Sequence, residues 1–178
     1  MADDSPKKKP REPAPPLFPM KKTVELIRYN GPMDIDGVYD LVKSWAADND
    51  FENFEEDTYK WRNDELEITW LAWKETDIHV RETVTFTTHI FGIHKTDVIK
   101  NGKKKSMQSG RGEFTFGFKV EIDWDGIFEG SSFWVKVKKF MNNKLFLMKY
   151  LIDYVLPLKN NVMGLVTEVK KFLDMEAT

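Results

Sequence analysis

The stretch EFTFGFKVEIDW (residues 113–124) alternates between apolar and polar side chains along its length. Phe114, Phe116, Phe118, Val120, Ile122 and Trp124 share one face of an extended chain; Glu113, Thr115, Lys119, Glu121 and Asp123 share the other. Successive strand side chains point to opposite faces, so the pattern predicts an antiparallel strand buried on one side and wet on the other. Gly117, in the middle of the run, reads as a bulge or a point of close packing.

Working upstream, the same period of two recurs. Ile78, Val80, Val84, Phe86 and Ile90 face one way; His79, Arg81, Thr83, Thr85, Thr87 and His89 face the other. Leu66, Ile68, Trp70 and Ala72 share a face of an earlier strand, and Tyr59 and Trp61 end a short one before it. Asn101-Gly102 between two such segments is a two-residue hairpin signal. Residues 23–29 (TVELIRY) read as a first strand, broken by Asn30-Gly31-Pro32. Asp34 then reads as a helix N-cap, ahead of the stripe Ile35, Val38, Leu41, Val42, Trp45 of an amphipathic helix ending near Asp48.

Downstream, the period lengthens. Ser131 or Ser132 is a second cap candidate, and Phe133, Val137, Phe140, Met141, Leu145, Met148, Ile152 and Val155 recur at helical spacing; 133–138 also alternates like a strand. Pro157 is expected to end or kink this helix, and Leu158, Val162, Leu165, Val169 and Phe172 form a last stripe. The expected fold is α+β: a curved antiparallel sheet of about six strands, one helix on the N-terminal side, and long C-terminal helices on the apolar face. This order of elements over about residues 23–174 resembles the START-like, helix-grip superfamily of polyketide cyclases and lipid-transfer proteins. That resemblance implies a cavity between sheet and C-terminal helix for a lipid or other hydrophobic small molecule. The family often has two short helices after its first strand, against one here, and an unbroken last helix. The chain's general look is also similar to that of small archaeal proteins, a likeness that implies no function.

Residues 1–22 hold six prolines, with Lys7, Lys8, Lys9 and Arg11 among them. Such a segment buries too little apolar surface to offset its ordering entropy, so a disordered, polyproline-rich tail is expected before a single domain at 23–178. The chain has no Cys, which excludes disulfides and thiolate metal sites and fits a reducing, cytoplasmic setting. The N-terminus does not read as a secretory signal. The longest apolar run, 145–158, contains Lys149 and Asp153 and is shorter than the roughly 20 residues a spanning helix needs.

Charge is unevenly spread. Residues 23–99 carry seven basic and seventeen acidic side chains, whereas 100–178 carry fourteen basic and nine acidic. This polarity argues against a nucleic-acid binder, which presents a dominant positive face. Lys103, Lys104 and Lys105 flank the Asn-Gly turn with Arg111 nearby, and Asp48, Asp50, Glu52, Glu55, Glu56 and Asp57 form an acidic run, read as a solvated loop. Aligned as a calcium loop from Asp48, that run lacks the sharp-turn Gly at its sixth position (Asn53) and the bidentate Glu at its twelfth (Tyr59).

Catalytic patterns are missing from the sequence. His79 and His89, ten residues apart on one strand face, stand about 33 Å apart and cannot share a metal; His94 adds too few ligands. There is no G-x-S-x-G elbow or S-x-x-K pattern, and Gly110-Arg111-Gly112 is too short to cradle phosphate. No cofactor is expected. The leading expectation is a non-enzymatic interaction or assembly protein that joins a protein partner or itself through Lys103, Lys104, Lys105 and Arg111 on one side and Asp48, Asp50, Glu52, Glu55 and Glu56 on the other. The alternative is the START-like binder of a hydrophobic molecule.

Overall fold

The computed structural model describes residues 20–77, 79–100, 103–122, 124 and 148–175; of Met20, Lys100 and Lys103–Lys105 it describes the backbone. The cap and stripe expected over 131–147, with the strand alternative at 133–138, lie outside these residues, as do residues 1–19 of the tail, Ile78, Asp123 and Asn101-Gly102.

The fold is α+β. Strand β1 (Met20–Met33) leads into helix α1 (Ile35–Asp48), then come β2 (Asn53–Arg62), β3 (Glu65–Asp77), β4 (Val80–Lys100) and β5 (Lys103–Ile122), and the described chain closes with helix α2 (Leu156–Phe172). The strands form one antiparallel sheet of order β1-β5-β4-β3-β2. Among the described residues it has five strands, against the six or so suggested by the sequence. β2 to β5 follow one another as hairpins, and β1 returns beside β5, making β1 and β2 the two edges.

The alternation read from the sequence places the core. Phe114, Phe116, Phe118, Val120 and Ile122 of β5 are buried with Val80, Val84, Phe86 and Ile90 of β4 and Leu66, Ile68, Trp70 and Ala72 of β3. Phe86 is the centre of an aromatic row. It stacks on Trp70 at 5.2 Å and meets Phe116 edge-on at 4.9 Å, geometries that add to the area each ring buries. α2 packs over β1 and β5 and against α1, burying Leu158, Val162, Leu165, Val166 and Val169. α1 lies beside it, where Tyr39 contacts Phe54 of β2 and Trp70 of β3. The helices approach so closely that a β-carbon at Gly37 would lie 2.5 Å from the Phe172 ring.

Four expectations are corrected. First, Asn30-Gly31-Pro32 does not end β1, which runs from Met20 through Met33 and so also takes in residues 20–22 of the expected tail. An edge strand tolerates a proline because one side of its ladder is unpaired, and Gly31 takes a φ of 148° that residues with a β-carbon avoid. Second, Glu55, Glu56 and Asp57 belong to β2 and not to a loop. Charged residues and a register shift at Glu56/Thr58 on an edge strand discourage pairing with another chain. Third, Trp124 leaves the core face. It lies past the end of β5, with the Arg81 guanidinium 3.7 Å above its ring and Trp73 on the same cation at 4.4 Å. Fourth, Pro157 does not end the helix, the first of the two outcomes expected there. The backbone widens into a π-helical turn at Leu151–Val155, where the Leu156 N–H reaches the Leu151 carbonyl, and Pro157 sits in the first turn of α2, where its missing N–H costs least.

The buried face of β4 also holds two polar residues that the apolar pattern skipped, Glu82 and Thr88. The Thr88 hydroxyl has no hydrogen-bond partner among the described residues. Thr88→Val should therefore raise stability by about 1 kcal/mol, because it removes an unsatisfied buried oxygen without changing the outline of the side chain. Phe116→Ala, by contrast, should cost about 3–5 kcal/mol. Urea denaturation of both variants checks the pair; a neutral Phe116→Ala would contradict the buried position of that ring.

Candidate functional site

Two regions of the described structure combine charge with shape. The first is an open groove of about 710 Å3 at the N-terminal end of α1. Ile35, Asp36, Gly37 and Asp40, at the start of α1, border it. Met33, Leu66 and Ile68 form its apolar floor. Tyr59 and Trp61, two residues apart on β2 and opposite Ile68 and Leu66, form one wall. They are 57% and 47% exposed, unusual for rings on the core-facing side of a strand. The indole N–H of Trp61 is already held by the Asn63 carbonyl at 3.1 Å, so the ring face is what it offers.

The opposite wall is acidic. Asp34 caps α1 by accepting a hydrogen bond from the Gly37 N–H at 3.2 Å, and Asp36 and Asp40 follow at the helix's first turns. Asp36 favours the positive end of the helix dipole, and neither Asp36 nor Asp40 forms an ion pair among the described residues. The end wall is the root of the β4–β5 hairpin, which supplies Lys95, Ser106, Met107 and Gln108. Past Gly92, in the left-handed region at φ 64°, β4 shifts register against β5, and residues 96–100 and 103–107 pair only with each other as a two-stranded arm. The side-chain carbonyl oxygen of Gln108 is buried and has no hydrogen-bond partner among the described residues. No histidine lines the groove, so no imidazole base stands beside Ser106.

The second region is a titratable cluster at the other end of the core face. Glu82 is buried, and its carboxyl is raised above the usual carboxylate range by burial, an effect opposed by Lys74 at 3.8 Å and by a hydrogen bond from Thr76. Lys74 also donates to the Asn49 carbonyl at 2.9 Å and lies 4.8 Å over the Phe51 ring. Tyr150 donates to the Val120 carbonyl at 3.1 Å, and burial pushes its hydroxyl well above the usual tyrosine range. Tyr154 reaches Asp77 at 3.3 Å. These bonds fasten the start of the C-terminal helix and the end of α1 to the sheet, a structural role.

The residues singled out in the sequence fall in several places. Asp48 ends α1, Asp50 takes a left-handed φ of 61°, Glu52 lies in the link to β2, and Glu55 and Glu56 are exposed on β2. They sit at the far end of α1 from the groove; a neighbouring depression of about 560 Å3 includes Asp48 and Glu168. Lys103, Lys104 and Lys105 lie in the arm at the start of β5, opposite Lys100, Ile99 and Val98 respectively, with side chains outside the described set. Arg111 does not join them. It sits in the body of the sheet, where it and Arg28 converge on Glu113 at 3.0 and 3.1 Å and hold that carboxyl below its usual range. His89 lies 3.9 Å from Glu65 and against Phe91, and His94 contacts the Gly92 carbonyl; among the described residues no three His, Cys, Asp or Glu side chains are placed to hold a metal.

The groove itself escaped the sequence reading, although its parts were visible: Tyr59 and Trp61 were read as strand residues and Asp34 as a cap. Compared with protein-family models, with curated proteins and with solved structures, the chain has no significant match.

The Glu82 carboxyl gives a pH signature. Its folded-state pKa lies above the unfolded one, so the folded chain binds the extra proton and stability is lost as pH rises through the raised value. The melting temperature should fall from about pH 4.5 upward by a component that Glu82→Gln abolishes. Calorimetry of the two proteins between pH 4 and 8 checks this; parallel curves would contradict it.

Proposed function

We propose that this chain is a non-enzymatic interaction protein whose acidic, aromatic-walled groove takes an extended cationic segment of a protein partner. The observation that carries the reading is the pair Tyr59 and Trp61, exposed in the same groove as Asp36 and Asp40. Ring faces attract cations through their quadrupole, carboxylates add charge, and the apolar floor accepts an aliphatic side-chain stem. Three aspartates against Lys95 leave the lining net negative. The wider charge polarity supports the same view: the exposed acids of α1 and β2 extend the negative region, and the run Lys103-Lys104-Lys105 supplies an opposed basic pole at the arm. Complementary poles of this kind set partner choice and encounter rate. The absence of cysteine supports a reducing, cytoplasmic setting. The START-like reading draws little from the interior beneath α2, where Phe114, Phe116, Phe118, Leu158, Leu165 and Val169 pack into one buried cluster.

The test is a titration of the protein with an oligolysine peptide, followed by calorimetry. Binding should weaken between low salt and about 0.5 M, where screening shortens the reach of exposed charges. Trp61→Ala, and separately Asp36→Asn with Asp40→Asn, should each weaken it about tenfold, roughly 1.4 kcal/mol. Unaltered affinity in both variants would remove the groove as the site.

A further inference from the structure

We infer that the occupant of the groove is the Pro/Lys-rich segment 6–19 of a second copy of this chain; the inference rests on the groove's reading as a cation-binding site. The segment PKKKPREPAPPLFP places four cations, Lys7, Lys8, Lys9 and Arg11, within five residues. They match the carboxylates of Asp34, Asp36 and Asp40 in sign. The segment's single acid, Glu12, has Lys95 as its counterpart on the groove wall.

The prolines match in shape. Pro10, Pro13, Pro16 and Pro19 recur every third residue. A polyproline II helix turns once in three residues, so in that conformation these rings would stand along one edge. Grooves that receive such edges are walled by exposed aromatic rings, because a prolyl ring is flat, apolar and already ordered. Tyr59 and Trp61, about 7 Å apart along one strand face, form that kind of wall. A polyproline II backbone makes no internal hydrogen bonds, so its non-proline N–H groups, like the lysine ammoniums, are donors without partners. Gln108, whose side-chain oxygen has no hydrogen-bond partner among the described residues, lies on the groove's end wall.

Reach decides which copy supplies the segment. Met33 lines the groove and Met20 begins the same strand, thirteen residue steps away, or about 43 Å at strand rise. Lys9 is eleven residues before Met20 and, fully extended as polyproline II, reaches about 34 Å. Even Lys7, thirteen residues before Met20, reaches only about 40 Å in that conformation, so a chain cannot lay the whole run Lys7–Arg11 along its own groove as polyproline II, whereas a second copy can. Reciprocal exchange closes a two-fold dimer in which each site is completed by its neighbour.

The experiment is sedimentation of the full chain over a concentration series at low salt. Association should appear with rising concentration. It should weaken at least tenfold when Lys7, Lys8, Lys9 and Arg11 are all replaced by Glu, and equally when Asp36 and Asp40 are replaced by Lys. Mixing the two variants should restore a heterodimer, because the first keeps an intact groove and the second an intact segment. A wild-type chain that stays monomeric, or a segment variant that associates like wild type, overturns the inference. If either happens while oligolysine still binds in a Trp61-dependent way, the second-copy occupant alone falls; if oligolysine also fails to bind, the groove reading falls with it. A monomeric wild type whose Trp61 fluorescence shifts on charge reversal of the segment would show docking within one chain and would likewise overturn the second-copy assignment.

Discussion

The aromatic row that runs from Trp70 through Phe86 to Phe116 holds the sheet in register and gives the helices something to cover. Each ring sits on a different strand, β3, β4 and β5, at positions directly opposite in the ladders. A slip of one residue in any of these strands would turn its apolar set outward, so the row fixes the pairing of all three at once. The helices follow. α2 lies over the β5 side and α1 over the β3 side, and the close passage at Gly37 lets both fit on one face.

The groove is a consequence of the same arrangement. Among the described residues two helices lie on a sheet of five strands, and α1 begins only after Met33, so the described helices leave Tyr59 and Trp61 exposed at the β2 end next to the arm. Evolution commonly trims such exposed rings or pairs them; here Tyr59 and Trp61 stay exposed beside carboxylates that also serve the helix. Asp34 at the N-terminus of α1 has a structural duty, capping, whereas Asp40 lies beyond the first turn, where capping requires no acid. This surplus of charge, next to exposed aromatic area, is what separates the groove from an ordinary helix start.

Much of the fold was legible because strict alternation survives in the central strands. The 113–124 run placed its face correctly up to Ile122, and Asp34 was recognisable as a cap from its position ahead of an apolar stripe. Lys100 pairs with Lys103, the register expected of a two-residue connection at Asn101-Gly102. What failed depended on neighbours. Asn30-Gly31-Pro32 is a turn signal in isolation and a strand when β5 pairs with it on one side only. Glu82 and Thr88 sit at inward positions that hydropathy assigns to solvent; the nearby Lys74 and Thr76 make the carboxyl tolerable. Trp124 keeps the period of its strand, but the strand stops two residues earlier and the ring turns to Arg81. The groove was hidden for a similar reason: alternation says which way Tyr59 and Trp61 point, and not that α1 starts too late to cover them.

The arm beyond Gly92 has a consequence for how the molecule opens. Its strands contact no third strand over residues 96–100 and 103–107, and Ile99 stands 77% exposed. Amide protons there are sheltered by one ladder alone, while those of Phe86 and Phe116 lie in strands flanked on both sides. Local opening free energies scale with such shelter, so the arm forms a separate low-stability unit that exchanges its protons with solvent while the central strands keep theirs. The root of this arm, at Lys95 and Gln108, is also the end wall of the groove, so the least sheltered ladder among the described strands borders it.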